Sequence, residues 1–135
     1  MNVNTEKTTR MRPSKKDYYL NIAKAIALRS PCLKMQVGAV LVKDDAIIST
    51  GYNGPARGEP HCIVCSRENK LPGSEYTICP AVHAEENAVI NAARQGVSTI
   101  GATLYLYLSK PHSHSGPCYR CTRLLKNAGV TEVIM

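Results

Sequence analysis

The chain has 135 residues and a formal net charge of +7 at pH 7. This length is expected to give one domain with a core of its own. No stretch approaches the roughly eighteen consecutive apolar residues of a membrane-spanning helix, and the polar segment 1–11 lacks the apolar core of a signal peptide. We therefore expect a cytoplasmic protein without membrane contact. In that compartment its 6 cysteines are expected to be metal ligands or free thiols rather than disulfides.

The positive charge is concentrated near the N-terminus, since 8 of the 17 Lys and Arg residues lie within residues 1–34. We interpret residues 1–14 as a flexible basic leader and 15–135 as the folded domain. Attraction of the leader to phosphates is an open alternative. Trp and Phe are both absent, so only Tyr could stack on nucleic-acid bases. A nucleic-acid partner is therefore not expected.

The first third of the chain predicts a helix followed by a hairpin. Ser14 followed by Asp17 is typical of a helix N-cap, and apolar residues at helical spacing predict a helix over 15–29. The apolar runs 37–42 and 46–52 predict two antiparallel strands.

The segment 51–80 is polar and broken by Gly and Pro, which predicts a long loop of the kind that is functional or tied by a metal. After it, helices and strands alternate: a helix over 83–95, a strand over 103–108, a helix over 118–127 and a strand over 131–135. The order α-β-β-α-β-α-β predicts an α/β fold of three layers. Its mixed sheet would have about four strands, with helices on both faces and a right-handed crossover before the last strand.

Two short motifs, H-A-E at 83–85 and P-C-Y-R-C at 117–121, begin the second and third predicted helices. One imidazole and two thiolates can hold a tetrahedral zinc ion and leave its fourth position open for water. Both sulfurs share one face of a first helical turn, where the helix dipole favours thiolate. We therefore predict that His83, Cys118 and Cys121 bind a catalytic zinc ion.

Glu85 is the predicted catalytic base. Two thiolates balance the charge of the metal, so the water needs a nearby base, and Glu85 is two residues from His83. An H-x-E followed by P-C-x-x-C is the signature of zinc-dependent nucleobase deaminases, which predicts hydrolytic deamination. A helical His-x-Glu on the surface and a C-x-x-C used in redox exchange or in half of a zinc knuckle are the simpler alternatives. The order of the motifs, each at a predicted helix start, favours the catalytic interpretation.

From about residue 15 to 135 the chain resembles the deoxycytidylate (dCMP) deaminase family of the cytidine deaminase superfamily. The resemblance rests on the two zinc motifs and on S-P-C at 30–32, V-G-A-V at 37–40, G-Y-N-G at 51–54, P-H-C at 60–62 and Cys79. It implies the cytidine-deaminase-like fold, a cytosine nucleotide as substrate and a homo-oligomer. The implied reaction is the conversion of dCMP to dUMP with release of ammonia.

The resemblance also implies substrate contacts. Asn53 would hydrogen-bond the sugar, and the backbone at Ala84 would face the carbonyl group of the base. Lys34 and Arg57 are candidates for the 5′-phosphate. The alternatives stay open, because Asn53 suits a turn and both cations suit a solvated surface.

The other four cysteines lie where some members of the family carry a second, structural zinc ion. They are Cys32, Cys62, Cys65 and Cys79. A second zinc would explain an ordered long loop, whereas ordinary thiols are the alternative.

Two functions compete with the leading prediction. A base deaminase acting on tRNA or other RNA shares both zinc motifs, although the cysteine-rich loop and the G-Y-N-G run speak against it. A non-catalytic zinc-binding or nucleotide-binding member of the fold is the other. Two departures from the family bear on these alternatives: the segment 109–116 is longer than is usual, and the chain ends as its last predicted strand forms.

Overall fold

The computed structural model describes residues 10–71, 74–111 and 116–135. Most of the predicted leader, residues 1–9, and residues 112–115 of the long segment 109–116 lie outside these ranges. The described helices are α1 (Lys15–Ala27), α2 (Ala84–Arg94) and α3 (Tyr119–Asn127), and a short 3₁₀ turn covers Tyr76–Ile78. The described strands are β1 (Val37–Lys43), β2 (Ala46–Tyr52), β3 (Gly54–Pro55), β4 (Ala81–Val82), β5 (Thr103–Leu108) and β6 (Glu132–Ile134).

Four of the strands form a mixed sheet in the order β2-β1-β5-β6. β1 pairs antiparallel with β2 and β5, whereas β5 and β6 are parallel and are joined through α3. The predicted mixed sheet of four strands is confirmed. β3 and β4 form a separate antiparallel pair that the sequence did not predict, because two residues are too few to show a strand period.

Helices cover both faces of the sheet, as the predicted three-layer order requires. On one face, Tyr19 and Ala23 of α1 pack with Val40 of β1 and Tyr105 of β5. On the other, the core contains Ala84 and Ala88 of α2, Leu125 of α3, and Leu41, Leu104 and Leu106 of the sheet. β1 is buried along both faces, which explains its nearly continuous apolar sequence.

Glycines bring two helix backbones unusually close to the sheet. A Cβ atom on Gly38 would overlap the carbonyl oxygen of Ala23 in α1, and one on Gly51 would overlap backbone atoms of Ala84 and Ala88 in α2. Gly51 therefore fixes how closely α2, whose start carries the first zinc motif, approaches β2.

The edge strand β2 is covered by side chains of α2. Asn87 donates a hydrogen bond from Nδ2 to the carbonyl of Tyr52 at 2.8 Å, and Asn91 donates one from Nδ2 to the carbonyl of Thr50 at 2.7 Å. These two residues are one helical turn apart, so their side chains lie on the same face of α2 and reach two carbonyls along the edge of β2.

Within the described ranges, none of the helices combines the length and the apolar character that a bilayer crossing requires. The helix starts differ from the predicted ones by one residue in a way that matters for the site. His83 and Cys118 are N-cap residues with extended backbones, and α2 and α3 begin immediately after them.

Candidate metal centre and active-site cavity

His83 leaves the short strand β4 and caps α2 (φ −73°, ψ 155°). The carboxylate of Glu86 accepts a hydrogen bond from the His83 backbone N–H at 2.9 Å, which is half of a capping box. A residue of the helix itself therefore fixes the start of α2, and with it the backbone position of His83.

Cys118 caps α3 in the same way, and its sulfur accepts a hydrogen bond from the backbone N–H of Cys121 at 3.5 Å. The Nδ1 atom of His83 lies 3.5 Å from Sγ of Cys118 and 3.3 Å from Sγ of Cys121. The ligand atoms of these three residues all lie within 4.8 Å of one another. Two helix starts that are remote in sequence thus present the three predicted ligands to one point.

The donor set fits zinc. Tetrahedral zinc binds sulfur at about 2.3 Å and imidazole nitrogen at about 2.0 Å, which places neighbouring S and N ligands about 3.5 Å apart. The two S–N distances agree with this value and identify Nδ1 as the donor atom of His83.

The two thiols are electrostatically unequal. Hydrogen bonds from Cys121 and His83 lower the pKa of the Cys118 thiol to about 3, although partial burial opposes the shift. The pKa of Cys121 is raised, because a second thiolate would face Cys118 at short range and away from water. One proton therefore stays between the two sulfurs unless a cation replaces it, which is what a coordinated metal ion does.

Glu85 follows in the first turn of α2 and is buried, with 5% of its surface exposed. Burial is the main reason that its carboxyl pKa is raised, and His83 and the Cys121 thiol oppose the shift. Glu85 does not join the set of close ligand atoms. A carboxyl with a raised pKa beside a metal centre is suited to take up and return protons.

A cavity of about 590 Å³ opens over this centre. Its volume lies in the range of small-molecule sites. The walls include Lys34, Asn53, His83, Ala84, Glu85 and Cys118, together with apolar side chains of β1 and β5. The structure therefore brings three of the four predicted substrate contacts, Lys34, Asn53 and Ala84, to the predicted metal ligands.

The family model described as "Cytidine and deoxycytidylate deaminase zinc-binding region" matches residues 13–135. The chain belongs to this family. The match confirms the resemblance seen in the sequence and the expectation of a zinc site, since all three candidate ligands lie within it.

Two sequence relatives and one solved structure illustrate the match. The deoxycytidylate deaminase of Mycobacterium phage D29 is 42% identical over 130 residues, which cover 91% of this chain and 94% of the relative. The deoxycytidylate deaminase of Schizosaccharomyces pombe is 38% identical over 129 residues, but this chain spans only 38% of its length. The dCMP deaminase of cyanophage S-TIM5, solved in complex with dCMP and dUMP, is 30% identical in sequence and superposes with a TM-score of 0.70. The superposition covers 92% of this chain and 82% of the cyanophage chain.

Within this deaminase-family chain, the side chain of Asn53 is used mainly by the fold. Its Oδ1 accepts hydrogen bonds from the Ser30 hydroxyl at 2.7 Å and from the Val37 N–H at 2.9 Å. Its Nδ2 donates to the carbonyl of Met35 at 2.8 Å, and its second amide hydrogen has no acceptor among the described residues. Asn53 does not have the positive φ of the alternative turn interpretation.

The two predicted phosphate cations differ in position. Lys34 lines the cavity, and its ammonium donates to the carbonyls of Arg67 at 2.7 Å and Lys70 at 2.9 Å. Its third proton has no acceptor in the part of the chain that the structure describes. Arg57 does not reach the cavity, so its prediction as a substrate contact is not supported. It donates to Oδ1 of Asn91 at 2.6 Å. Asn91 lies eight residues, about 12 Å, along the helix from His83.

The four remaining cysteines are partly exposed and free of disulfides. Cys32, Cys65 and Cys79 line the cavity, whereas Cys62 does not. Among the residues that the structure describes, only the His83 set brings three ligand atoms within 4.8 Å. The described residues thus hold no assembled ligand set for a second zinc, which stays a prediction.

Sequence reasoning missed one aromatic residue of the site. Tyr76, in the 3₁₀ turn, lies edge-on to the His83 ring, with 4.8 Å between ring centroids and 84° between planes. Burial first, and the charge of Cys118 next, raise the pKa of Tyr76 to about 12, so its hydroxyl stays protonated. The loop gave no periodic signal that could have pointed to this residue.

Proposed function

We propose that this protein catalyses the zinc-dependent hydrolytic deamination of dCMP to dUMP with release of ammonia. The observation that carries the proposal is the convergence of His83, Cys118 and Cys121 beside the buried carboxyl of Glu85, on the wall of one cavity. The named relatives, and the cyanophage enzyme solved with dCMP and dUMP, support the choice of nucleotide.

Zinc held by His83, Cys118 and Cys121 would supply a water molecule of lowered pKa at its open position. Glu85 would accept a proton from the attacking water and give it to the ring nitrogen next to the reacting carbon, as the water oxygen bonds to that carbon. It would then move the remaining proton of that oxygen to the amino group, so that the carbon–nitrogen bond breaks, ammonia leaves and a carbonyl remains. The raised pKa of Glu85 helps both steps, because the carboxyl can hold each proton between transfers.

Three residues of the cavity wall would orient the nucleotide. Lys34 has one ammonium proton for the phosphate, and Asn53 has one amide hydrogen for the sugar. Ala84 lines the cavity as the first residue of α2. Backbone N–H groups at a helix start lack partners within the helix, so the N–H of Ala84 would face a carbonyl of the nucleobase.

Ammonia release by the zinc-loaded protein tests the proposal against dCMP, CMP, deoxycytidine and a tRNA anticodon hairpin. We expect turnover of dCMP in preference to the other three. Activity confined to the hairpin would favour the RNA base deaminase, and zinc binding without any turnover would favour a non-catalytic member of the family.

The substitution Glu85→Gln tests the base. We expect kcat to fall by about 10² to 10⁴, with zinc content unchanged, because the amide cannot take up a proton. Glu59→Gln, which changes an exposed carboxylate of the loop, is the matched control and should keep normal turnover. An unchanged rate in Glu85→Gln would contradict the assignment of the base.

Assembly as a homo-oligomer in the cytoplasm completes the proposal. Leu33, Ile63 and Val64 line the cavity yet are 52%, 93% and 76% exposed, and a second copy would cover such a surface. All six cysteines lie in the described ranges without disulfides, which suits a reducing compartment. Light scattering during gel filtration measures the oligomeric state, and a monomeric mass would reject the oligomer.

A further inference from the structure

Four residues around the metal centre contact one another in a closed circuit. The His83 N–H donates to Oε1 of Glu86 at 2.9 Å, and Nη2 of Arg120 donates to the same oxygen at 2.7 Å. The Arg120 guanidinium lies over the Tyr76 ring, 5.2 Å from its centroid. The circuit closes where Tyr76 packs edge-on against the His83 ring.

A histidine that binds a metal is usually oriented by a hydrogen bond from its other ring nitrogen. In His83, Nδ1 faces the two sulfurs. Among the residues of the described ranges, none accepts a hydrogen bond from Nε2. The ring is flanked instead by Tyr76 in a T-shaped arrangement, the geometry that aromatic pairs prefer.

Tyr76 is itself held by charge. The guanidinium of Arg67 lies 4.5 Å from its ring centroid, and Nε of Arg67 donates to the carbonyl of Ser74 at 2.8 Å. With Arg120, two guanidinium groups lie against the same ring, an attractive arrangement that needs no hydrogen bond. A side chain in a loop is thereby fixed against a helix start.

Arg120 takes its position at some cost to its own hydrogen bonding. Its Nε is buried and has no hydrogen-bond partner among the described residues. Buried donors are rarely left in that state. Its other contacts, to Glu86 and Tyr76, therefore account for where it lies.

We propose that Tyr76 and Arg120 are positioning residues that clamp His83, so that Nδ1 faces the sulfurs of Cys118 and Cys121. The clamp rests on the proposed function in one respect, since both take the bound metal to be zinc. Arg120 lies between the two cysteines of P-C-x-x-C, so the clamp also ties α3 to the start of α2. Without it, the His83 ring is free to turn away from the sulfurs.

Zinc release into excess chromogenic chelator tests the clamp in Tyr76→Leu and Arg120→Gln. We expect release about tenfold or more faster than in the wild type, the effect typical of losing a group that orients a ligand. Tyr76→Phe keeps the ring and should release zinc at the wild-type rate. In the cobalt-substituted protein, the ligand-field bands should shift in the first two variants and not in the third.

Tyr119→Leu and Arg123→Gln are the matched controls. They remove a similar pair on α3, with the Arg123 guanidinium 5.4 Å from the ring centroid of exposed Tyr119, and this pair does not belong to the circuit. Both should retain zinc as the wild type does. If Tyr76→Leu loses its fold by circular dichroism, Arg120→Gln, which keeps the aromatic ring, decides the question.

Release rates of Tyr76→Leu and Arg120→Gln within twofold of those of the two controls, with unshifted cobalt bands, would overturn the clamp. The proposed function fails separately, when wild-type protein with a full complement of zinc does not deaminate dCMP. The double variant Tyr76→Leu/Arg120→Gln adds a last criterion. Its effect should be smaller than the product of the single effects, because both residues act through His83.

Discussion

The buried amide of Asn53 connects two parts of the fold that precede the metal centre. Its three hydrogen bonds reach Ser30, Met35 and Val37, which lie between the end of α1 and the start of β1. Asn53 itself follows the last residue of β2. The side chain therefore holds together residues that line the cavity, including Met35 and Val37. Any contact between Asn53 and the substrate would use its one remaining amide hydrogen.

We expect Asn53→Ala to lower the free energy of unfolding by about 2–4 kcal/mol, because the Val37 N–H and the Met35 carbonyl lose their partner in a buried place. Urea denaturation measures the change. Ser30→Ala removes one of the three amide bonds, together with the bonds of the Ser30 hydroxyl to the Asn53 carbonyl and the Cys32 N–H. It should cost less, because Val37 and Met35 keep their bonds to the buried amide. A loss below about 1 kcal/mol in Asn53→Ala would mean that water replaces the amide.

Lys34 and Arg57 provide a test of the phosphate contact. Lys34→Ala should raise the KM for dCMP by about tenfold or more, the usual effect of losing a hydrogen bond to a charged group. Arg57→Ala should leave KM within about twofold, since Arg57 binds Asn91 outside the cavity. Equal effects of the two substitutions in steady-state kinetics would contradict this assignment.

Among individual residues, the sequence predicted best those site residues that lie close together along the chain. His83 and Glu85 share one helix start, and Cys118 and Cys121 share another, so short spacings sufficed to predict them. Arg57 instead contacts Asn91, which lies 34 residues further along the chain. Nothing local could have placed it.

The close approach of α2 to the sheet determines where the first metal ligand stands. Ala84, Ala88 and Ala92 are fully buried, and Gly51 of β2 lets the helix backbone approach without a side chain between them. Small residues on both elements therefore fix the depth at which His83 leaves the sheet.

We expect Gly51→Ala to lower the free energy of unfolding by about 1–3 kcal/mol, because the added methyl group overlaps the backbone of α2. It should also speed zinc release, since a displaced α2 carries His83 with it. Gly116→Ala is the control, as a Cβ there meets no atom of the described residues within 4 Å. Urea denaturation and chelator competition provide both measurements, and normal stability in Gly51→Ala would contradict the close approach.

Among the elements, the helices and the longer strands were predicted to within one or two residues because their apolar periods and caps are local. The helix 15–29, for instance, ends at Ala27, and the strand 103–108 has the predicted bounds. The 3₁₀ turn that carries Tyr76 was not predicted. Three residues in a polar loop carry no period, and their conformation depends on contacts with α2 and α3.

In the whole molecule, zinc held by His83, Cys118 and Cys121 would join the starts of α2 and α3, so metal binding and folding should be coupled. Removing zinc with a chelator is expected to lower Tm, and restoring zinc should raise it as free metal increases. Cys121→Ser, which removes one of the three ligands, should show a smaller response to the same chelator. Differential scanning calorimetry measures both, and a Tm indifferent to metal in the wild type would contradict the coupling.

The three-layer architecture followed from the order of elements along the chain, since alternating strands and helices have few ways to cover a mixed sheet. The closed circuit around His83 did not follow from that order. It joins residues from a loop and from two helix starts, and only the packed structure brings their side chains into contact.

The two asparagines that cover β2 also bear on self-association. An uncovered edge strand can pair with a strand of another molecule and seed ribbon-like aggregates. Here the outward carbonyls of Thr50 and Tyr52 already accept hydrogen bonds from Asn91 and Asn87. A strand of another molecule would therefore find neither carbonyl free to accept its hydrogen bonds. We expect this edge of the sheet to resist fibril growth at high protein concentration.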